Sequence, residues 1–547
     1  MKFGFVIDNR KCIGCHACTT ACKQEHEVPL GVFRTWVKQV EKGLFPNTRR
    51  VFSVMRCNHC TDAPCVEICP VEALHFREDG IVDFDKNRCI GCKSCMQACP
   101  YDALYIDPES RTAAKCNYCA HRVDVGLEPA CVNVCPEHAI ISGDMEDPFS
   151  EIAQLLSREQ VTARKVAKGT KPNLFYIDGD DHNLIPTAVD KAATMGVSAQ
   201  ARGVGHYAKN TEKMAYNGSD LIATVLEAQG NTYETSELKQ RGQGVKSVEA
   251  LMGGESRRYY DAPSKGIMWG WEVWSYVTTK AIAAGVFLIP FLFWVFGETD
   301  VITTQQFTVM LGTALFFLLA TTALLVKDLD QPMRFLYVIL RPQWRSWLVK
   351  GGYALSLYGG LLTALLAIFI FKIQLPNIVM ASLMWITGLA ALVTAVYTAF
   401  LFAQAKGRDF WQSPMLVLHM LGHSFAAGAA VLLVIATLDQ ESMSWAGRMG
   451  AILSFFLLLN LILVFLELSI NHPTEDAKLV VKMILKGQYR RLFWLVSIGL
   501  GIFGPVLLIN LAGGELWANL GAAVLSLIGI FYTEKIWVEA PQRIPLS

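Results

Sequence analysis

From about Trp271 onward the sequence consists of apolar runs separated by short stretches of charge, proline or glycine. A helix that crosses a bilayer needs about 20 predominantly apolar residues. Eight stretches meet that length: roughly 272–297, 304–326, 347–371, 378–403, 413–437, 446–468, 492–512 and 516–537. An even number returns the chain to the side from which it entered. Ahead of these runs the pattern changes in kind and becomes polar, with only brief apolar segments. Pro148 to Gln160 has the spacing of a short amphipathic helix, and Leu174-Phe-Tyr-Ile177, ending at Asp178-Gly179, reads as a strand. From about Pro186 to Pro263, Gly, Ser, Thr, Gln and charged residues dominate without a sustained apolar run, which predicts a linker or a strap. The expected organisation is an N-terminal domain over 1–185, the linker or strap over 186–265, and an all-α bundle of eight transmembrane helices over 266–547.

Composition sharpens the reading of the first part. All sixteen cysteines lie between Cys12 and Cys135, in four quartets: Cys12, Cys15, Cys18, Cys22; Cys57, Cys60, Cys65, Cys69; Cys89, Cys92, Cys95, Cys99; and Cys116, Cys119, Cys131, Cys135. Each quartet begins C-x2-C and ends C-x3-C, and three of them close with a proline, Pro70, Pro100 or Pro136. The short spacing lets neighbouring thiolates converge on one cubane, while the cysteine three residues further on is carried toward another. Sixteen thiolates at four per [4Fe-4S] cluster give four clusters with none left over. Cys12-Ile-Gly-Cys15 recurs as Cys89-Ile-Gly-Cys92, and Cys57-Asn-His-Cys60 is echoed by Cys116-Asn-Tyr-Cys119, which reads as duplication of a two-cluster ferredoxin unit of α+β type. Disulfides would need an oxidising compartment, and zinc sites seldom use this spacing.

Charge adds orientation. The formal net charge is +1, and no basic stripe interleaved with aromatics marks the polar part, so nucleic-acid binding is dismissed. Short loops that carry Lys and Arg stay on the cytoplasmic side. Loops on the side of the N-terminal domain hold twelve basic residues: Lys327, Arg334, Arg341, Arg345, Lys350, Lys406, Arg408, Lys478, Lys482, Lys486, Arg490 and Arg491. The opposite side holds two, Lys372 and Arg448, beside Glu298, Asp300, Asp439, Glu441 and Glu515. The chain also runs from Met1 to Arg10 directly into the first quartet, with no room for an export signal. Both features predict a multi-pass protein of a bacterial or archaeal cytoplasmic membrane, with the cysteine domain inside.

Ionisable residues in or near the spans are functional candidates, because hydrocarbon penalises them. Glu272, Tyr276 and Lys280 follow one another at i, i+4 and i+8 on the side of the cysteine domain. The plainer alternative makes the first two interfacial anchors and lets Lys280 snorkel. Asp328 and Arg334 lie just after span two, as a structural ion pair or in a functional or docking role. His419 and His423 share one face of span five and cannot clasp one haem from opposite sides, so no haem is expected. They line a proton path or satisfy polar groups between helices; Glu467, one heptad from Asn460, is the other candidate relay.

The cysteine domain, including Lys171-Pro-Asn-Leu-Phe-Tyr-Ile-Asp-Gly179, resembles the four-cluster electron-transfer subunits of the dimethyl-sulfoxide reductase superfamily of molybdenum enzymes. The membrane part resembles the NrfD or polysulfide reductase anchor subunit. The match rests on Asp328-Leu-Asp-Gln-Pro332-Met-Arg334-Phe, on Arg341-Pro342-Gln-Trp-Arg-Ser-Trp347, and on Lys280-Ala-Ile-Ala-Ala-Gly285. The resemblance implies a fused subunit that moves electrons between a separate large subunit, holding a bis-pterin molybdenum or tungsten cofactor, and membrane quinone, either menaquinone or ubiquinone. It also implies crossed ligand sets: Cys12, Cys15, Cys18 with Cys135; Cys116, Cys119, Cys131 with Cys22; Cys57, Cys60, Cys65 with Cys99; and Cys89, Cys92, Cys95 with Cys69. A quinone site is expected at Glu272, Tyr276, Lys280, Asp328 and Arg334, and a proton relay at Glu467, His419 and His423. Nothing in the sequence resembles a P-loop or a pterin domain, so the chain would be an enzyme only within a complex. Two rival readings are a redox-driven ion-translocating module, and the same wire facing outward in a polysulfide, tetrathionate or dimethyl-sulfoxide reductase.

Overall fold

The structure, a computed structural model, describes residues 1–43, 48–189, 256–298, 302–438 and 443–547. Most of the expected linker, 190–255, lies outside the described residues, as do Asp300, Asp439 and Glu441 of the short loops.

The N-terminal strand Phe3–Asp8 is the keystone of the cysteine domain. It pairs antiparallel with Ile140–Asp144 on one side and parallel with Leu174–Ile177 on the other, with Val161–Thr162 at the outer edge. Five of its six residues are buried, as the run Gly-Phe-Val-Ile suits a strand covered on both faces. The expected strand at 174–177 is present, and the amphipathic helix forms over Glu151–Arg158, capped by the Ser150 hydroxyl accepting from the Ala153 N–H at 3.2 Å. A second sheet places Thr35–Lys42 between Arg49–Arg56 and Arg257–Tyr260. The chain leaving the linker therefore adds a strand to the cysteine domain before entering the membrane. Arg258 and Asp261 form a buried ion pair at 2.8 Å there, and the Trp36 indole donates to Asp261 at 2.8 Å.

Eight helices long and apolar enough to span a membrane follow: Trp271–Val295, Thr304–Lys327, Trp347–Ile370, Asn377–Gln404, Met415–Leu438, Met443–Ser469, Leu492–Ala512 and Leu516–Gln542. Their bounds match the expected ones closely, except that span eight continues to Gln542. Trp537 to Gln542 are buried, and Arg408 holds the helix end by donating to the Pro541 carbonyl at 3.0 Å. Span seven opens with a π-helical stretch over Leu492–Phe503 before becoming an α-helix at Gly504. Spans one and five are the inner pair, with 78% and 67% of their apolar windows buried against 28% to 44% for the other six. Small residues permit this closeness: Gly285 lies directly against the Ser424 carbonyl and Gly428, so any side chain there would collide with backbone.

The cysteine domain sits on the end of the bundle where the chain enters. Three inter-span loops on that end hold it. Arg334 donates to the Lys86 and Cys89 carbonyls, both at 2.9 Å. The Gln331 amide donates to the Ser110 carbonyl at 2.8 Å, Ser346 to the Ile68 carbonyl at 2.7 Å, and Arg408 to Gln97 at 3.0 Å. Lys168 pairs with Asp409, and Lys165 with Asp476 at 3.9 Å.

Candidate functional site: cysteine cradles and a membrane cavity

All sixteen cysteines are unpaired, and most are buried. One hollow is lined by Cys12, Cys15, Cys18 and Cys135, a second by Cys57, Cys60, Cys65 and Cys99, and a third by Cys69, Cys89, Cys92 and Cys95. Cys22 and Cys119 each lie within electrostatic reach of Cys116 and Cys131, which makes a fourth group. Each group thus draws three thiols from one quartet and one from another. The residue before the second cysteine has a left-handed backbone in every quartet: φ is 71° at Gly14, 41° at His59, 71° at Gly91 and 62° at Tyr118. This bend turns successive side chains inward, and Gly adopts it without strain. Backbone N–H groups point at the sulfurs, from Ala113 to Cys89 and from Tyr118 to Cys116 at 3.4 Å, and from Ala139 to Cys135 at 3.3 Å. Clustered buried thiols without disulfide partners, met by N–H donors, fit iron–sulfur clusters.

The four groups form a row. Cys18 is an electrostatic neighbour of Cys131, Cys116 of Cys57, and Cys65 of Cys95. The outer end lies at the surface, where Cys15 is exposed. Arg56 stands between the first two groups. It is 1% exposed, donates to Cys131 Sγ at 3.1 Å and lies 4.5 Å over the Phe5 ring. His26 Nε2 is 3.1 Å from Cys119 Sγ.

The inner end of the row meets the membrane. A cavity of about 360 Å³ is lined by Cys92 and Ser94 of the third quartet's loop, by Trp269, Tyr276, Asp328 and Tyr397, and by leucines of spans two and three. Leu319, Ile339 and Gly360 in its lining are exposed on the apolar flank, so the cavity opens toward lipid. Trp269 closes the inner wall and donates to the Cys92 carbonyl at 3.1 Å.

The expected quinone residues separate in this geometry. Tyr276 and Asp328 line the cavity. Lys93 donates to the Asp328 carbonyl at 2.8 Å and pairs with Asp330 at 3.4 Å. Burial pushes the Asp328 carboxyl up to about 7; Lys93 opposes the shift, while Glu272 and Asp330 add to it. Glu272 is outside the lining and acts on it only through that charge. Lys280 sits behind the wall, 1% exposed, and donates to the Ala395 carbonyl at 3.0 Å and Thr398 at 2.7 Å. It does not snorkel. Arg334 is spent on docking and makes no pair with Asp328. Tyr397 is not among the expected residues; its only sequence signal is the polar pair Tyr397-Thr398 within an apolar span.

His419 and His423 pack edge to face with ring centroids 4.2 Å apart. His423 Nδ1 is 2.6 Å from Glu534, and His419 Nδ1 is 3.7 Å from Glu467. Glu534 escapes a reading of the sequence because its meaning depends on which helix span five faces.

Comparison with known proteins agrees with this layout. Residues 5–70 and 48–145 each match the family described as "4Fe-4S dicluster domain", and residues 261–541 match "Polysulphide reductase, NrfD". The chain is 46% identical over 189 residues to a subunit of tetrathionate reductase from Salmonella typhimurium, covering 34% of this chain and 76% of that protein. It is 42% identical over 181 residues to a component of polysulfide reductase from Wolinella succinogenes, covering 32% and 94%. It is 34% identical over 225 residues to the arsenate respiratory reductase iron-sulfur subunit of Shewanella sp., covering 32% and 96%.

A buried cation beside a thiolate cluster favours the added electron. Arg56→Gln is therefore expected to lower the midpoint potential of the cluster nearest Cys131 by on the order of 60 mV, the one-electron equivalent of a tenfold change. Potentiometric EPR on protein of unchanged iron content reads this; an unmoved midpoint refutes it.

Proposed function

From the premise that this chain belongs to the polysulphide reductase NrfD family and joins an iron–sulfur electron-transfer subunit to a membrane anchor in one polypeptide, we propose that it conducts electrons between a catalytic partner and membrane quinone. The partner would carry a bis-pterin molybdenum or tungsten cofactor. Domain bounds of 1–185, 186–265 and 266–547 express this division. Four [4Fe-4S] clusters, each carrying one electron at a time, would be held by the crossed sets: Cys12, Cys15, Cys18, Cys135; Cys22, Cys116, Cys119, Cys131; Cys57, Cys60, Cys65, Cys99; and Cys69, Cys89, Cys92, Cys95.

The observation that carries the reading is Cys92. Its loop is at once part of the innermost cysteine group and part of the wall of a lipid-facing cavity. A quinone ring seated there would meet Tyr276, Tyr397 and Asp328 as its main polar partners, in a slot whose other walls are mostly apolar, with the hydroxyls of Ser94, Thr322, Ser356 and Thr363 among them. The exposed group at Cys15 would face the partner subunit.

For the cavity, Gly360→Trp is the direct test. Gly360 has open space where a side chain would go, so the ring fills the cavity without displacing backbone. Quinone binding and quinone-dependent reoxidation of the reduced clusters are expected to fall at least tenfold, with the iron content unchanged. Wild-type rates in this variant would sink the assignment. The same assay tests Asp328, whose carboxyl lies raised to about 7 among Lys93, Glu272 and Asp330. Protonated below that pH and ionised above it, Asp328 predicts a rate of quinone reduction that declines through pH 7. Asp328→Asn should remove that decline.

The cysteine domain is proposed to face the cytoplasm. Two of the twelve basic loop residues, Arg334 and Arg408, have a docking role that explains them independently. Ten remain, since twelve less two is ten, against two on the far side. The outward-facing alternative draws support from the names of the relatives, tetrathionate and polysulfide reductase. Protease added outside spheroplasts is expected to leave the domain intact; its removal would establish the outward reading.

A further inference from the structure

The inner face of spans five, six and eight holds polar groups that docking and the cavity leave unused. Glu467 and His419 are 1% exposed, Glu534 2% and His423 4%. Such burial of two carboxylates and two imidazoles is costly in a bilayer and calls for a role. They are not scattered. The Trp537 indole donates to Glu467 at 3.0 Å, and His472 Nε2 lies 3.1 Å from the Glu467 carbonyl near the surface of the loop after span six. Glu467 faces His419, His419 packs against His423, and His423 bonds Glu534. Glu534 interacts electrostatically with Lys280, which donates to Thr398, and Thr398 lies within interaction reach of the cavity residue Tyr276. Both ring nitrogens of His419, one oxygen of Glu467 and the Asn460 amide make no hydrogen bond within the protein among the described residues, although all are buried; His419 Nδ1 has only the 3.7 Å approach of Glu467. Gly422 is the residue that makes room for Asn460 beside the two histidines. Polar groups left in this state are where water is bound in a protein interior.

Depth along the helices gives the series a direction. Counting from helix ends on the docking side at about 1.5 Å per residue, Glu467 lies roughly 3 Å deep, His419 roughly 6 Å, His423 and Glu534 roughly 12 Å, and Lys280 roughly 14 Å. Beyond that depth spans one, five and eight carry no Asp, Glu, Lys, Arg or His, since none occurs in 281–295, 424–438 or 516–533, and span six carries only Arg448, paired with Glu298 at the opposite surface.

We propose that Glu467, His419, His423, Glu534 and Lys280, with water at His419 and Asn460, form a proton branch that links the quinone cavity to the aqueous phase on the side of the cysteine domain, entered beside the loop that carries His472, and that it ends blind at mid-membrane. The inference rests on the cavity being a quinone site. Reduction of a quinone takes two electrons, supplied from the Cys92 side, and two protons; the branch delivers protons toward Tyr276, and oxidation returns them the same way. Glu534 is the relay that joins the two halves of the bundle. A blind end means that this set of residues exchanges protons with one face and carries none across, which opposes the ion-translocating reading.

The test uses the full chain with its clusters in proteoliposomes, a reduced viologen dye as electron donor and a menaquinone analogue as acceptor. Glu534→Gln is expected to slow quinol formation at least tenfold, to leave quinone affinity and cluster reduction by the dye unchanged, and to raise the solvent deuterium isotope effect. Glu534→Asp should restore most of the rate. His419→Gln serves as the second variant should Glu534→Gln not fold. A pH indicator placed on each face in turn should report proton uptake only from the face bearing the cysteine domain. Wild-type rates in both variants, uptake from the opposite face, or one equivalent of a divalent metal held by His419, His423 and Glu534 would each overturn the branch. Failure of the cavity assignment is distinguishable, because wild-type protein would then bind no quinone and Gly360→Trp would change nothing.

Discussion

Of the contacts that seat the cysteine domain on the bundle, the one that brings a cysteine group to the cavity is that between the Cys89–Cys95 loop and the segment after span two. Lys93 bridges to the Asp328 carbonyl and the Asp330 carboxylate, and Arg334 caps the Lys86 and Cys89 carbonyls. Asp330 approaches so closely that a side chain at Gly91 would strike its backbone. The Lys93 and Asp328 side chains are only 14% and 12% exposed, so these charges exchange solvation for each other and for backbone carbonyls. Removal of one partner would leave an uncompensated buried charge, which costs more than the intact pair contributes. The same few residues therefore fix the register of the domain on the bundle and bring the last cysteine group to the lipid-facing cavity.

The transmembrane half was legible in outline because hydropathy over 20 or more residues is a strong signal. Span bounds agree to within a few residues, and the lapse at span eight has a cause. Glu534, Lys535 and Glu539 interrupt its apolar run, while loop contacts such as that of Arg408 keep the helix intact to Gln542. The π-helical start of span seven was not legible, because an all-apolar stretch such as Leu492–Phe503 carries no periodicity that distinguishes one winding from another. Cysteine spacing announced the clusters at once, since the chemistry of the ligand restricts it.

The membrane site was legible only in part. Tyr276 and Asp328 line the cavity, yet Glu272 and Lys280 from the same helical face do not. A face is a property of one helix, whereas a cavity belongs to several. Tyr397 enters from span four and Trp269 from ahead of span one, and no single-helix pattern points to either. Arg334 shows the converse: the motif that holds it is recognisable, but its side chain serves the backbone of the cysteine domain. Likewise the histidines of span five acquire meaning only beside Glu534 and Glu467, contributed from more than 40 residues away.

The strand Arg257–Tyr260 tethers the end of the linker to the cysteine domain only ten residues before span one begins. Docking of that domain on the bundle is thus an intramolecular event, at an effective concentration of roughly millimolar for a short tether. A contact that needs little affinity of its own can rely on single hydrogen bonds beside an apolar seam, as this one does. Loosening it by one residue would let the domain tilt without leaving, so the penalty of a weakened dock would appear in the pace of electron delivery rather than in the integrity of the assembly.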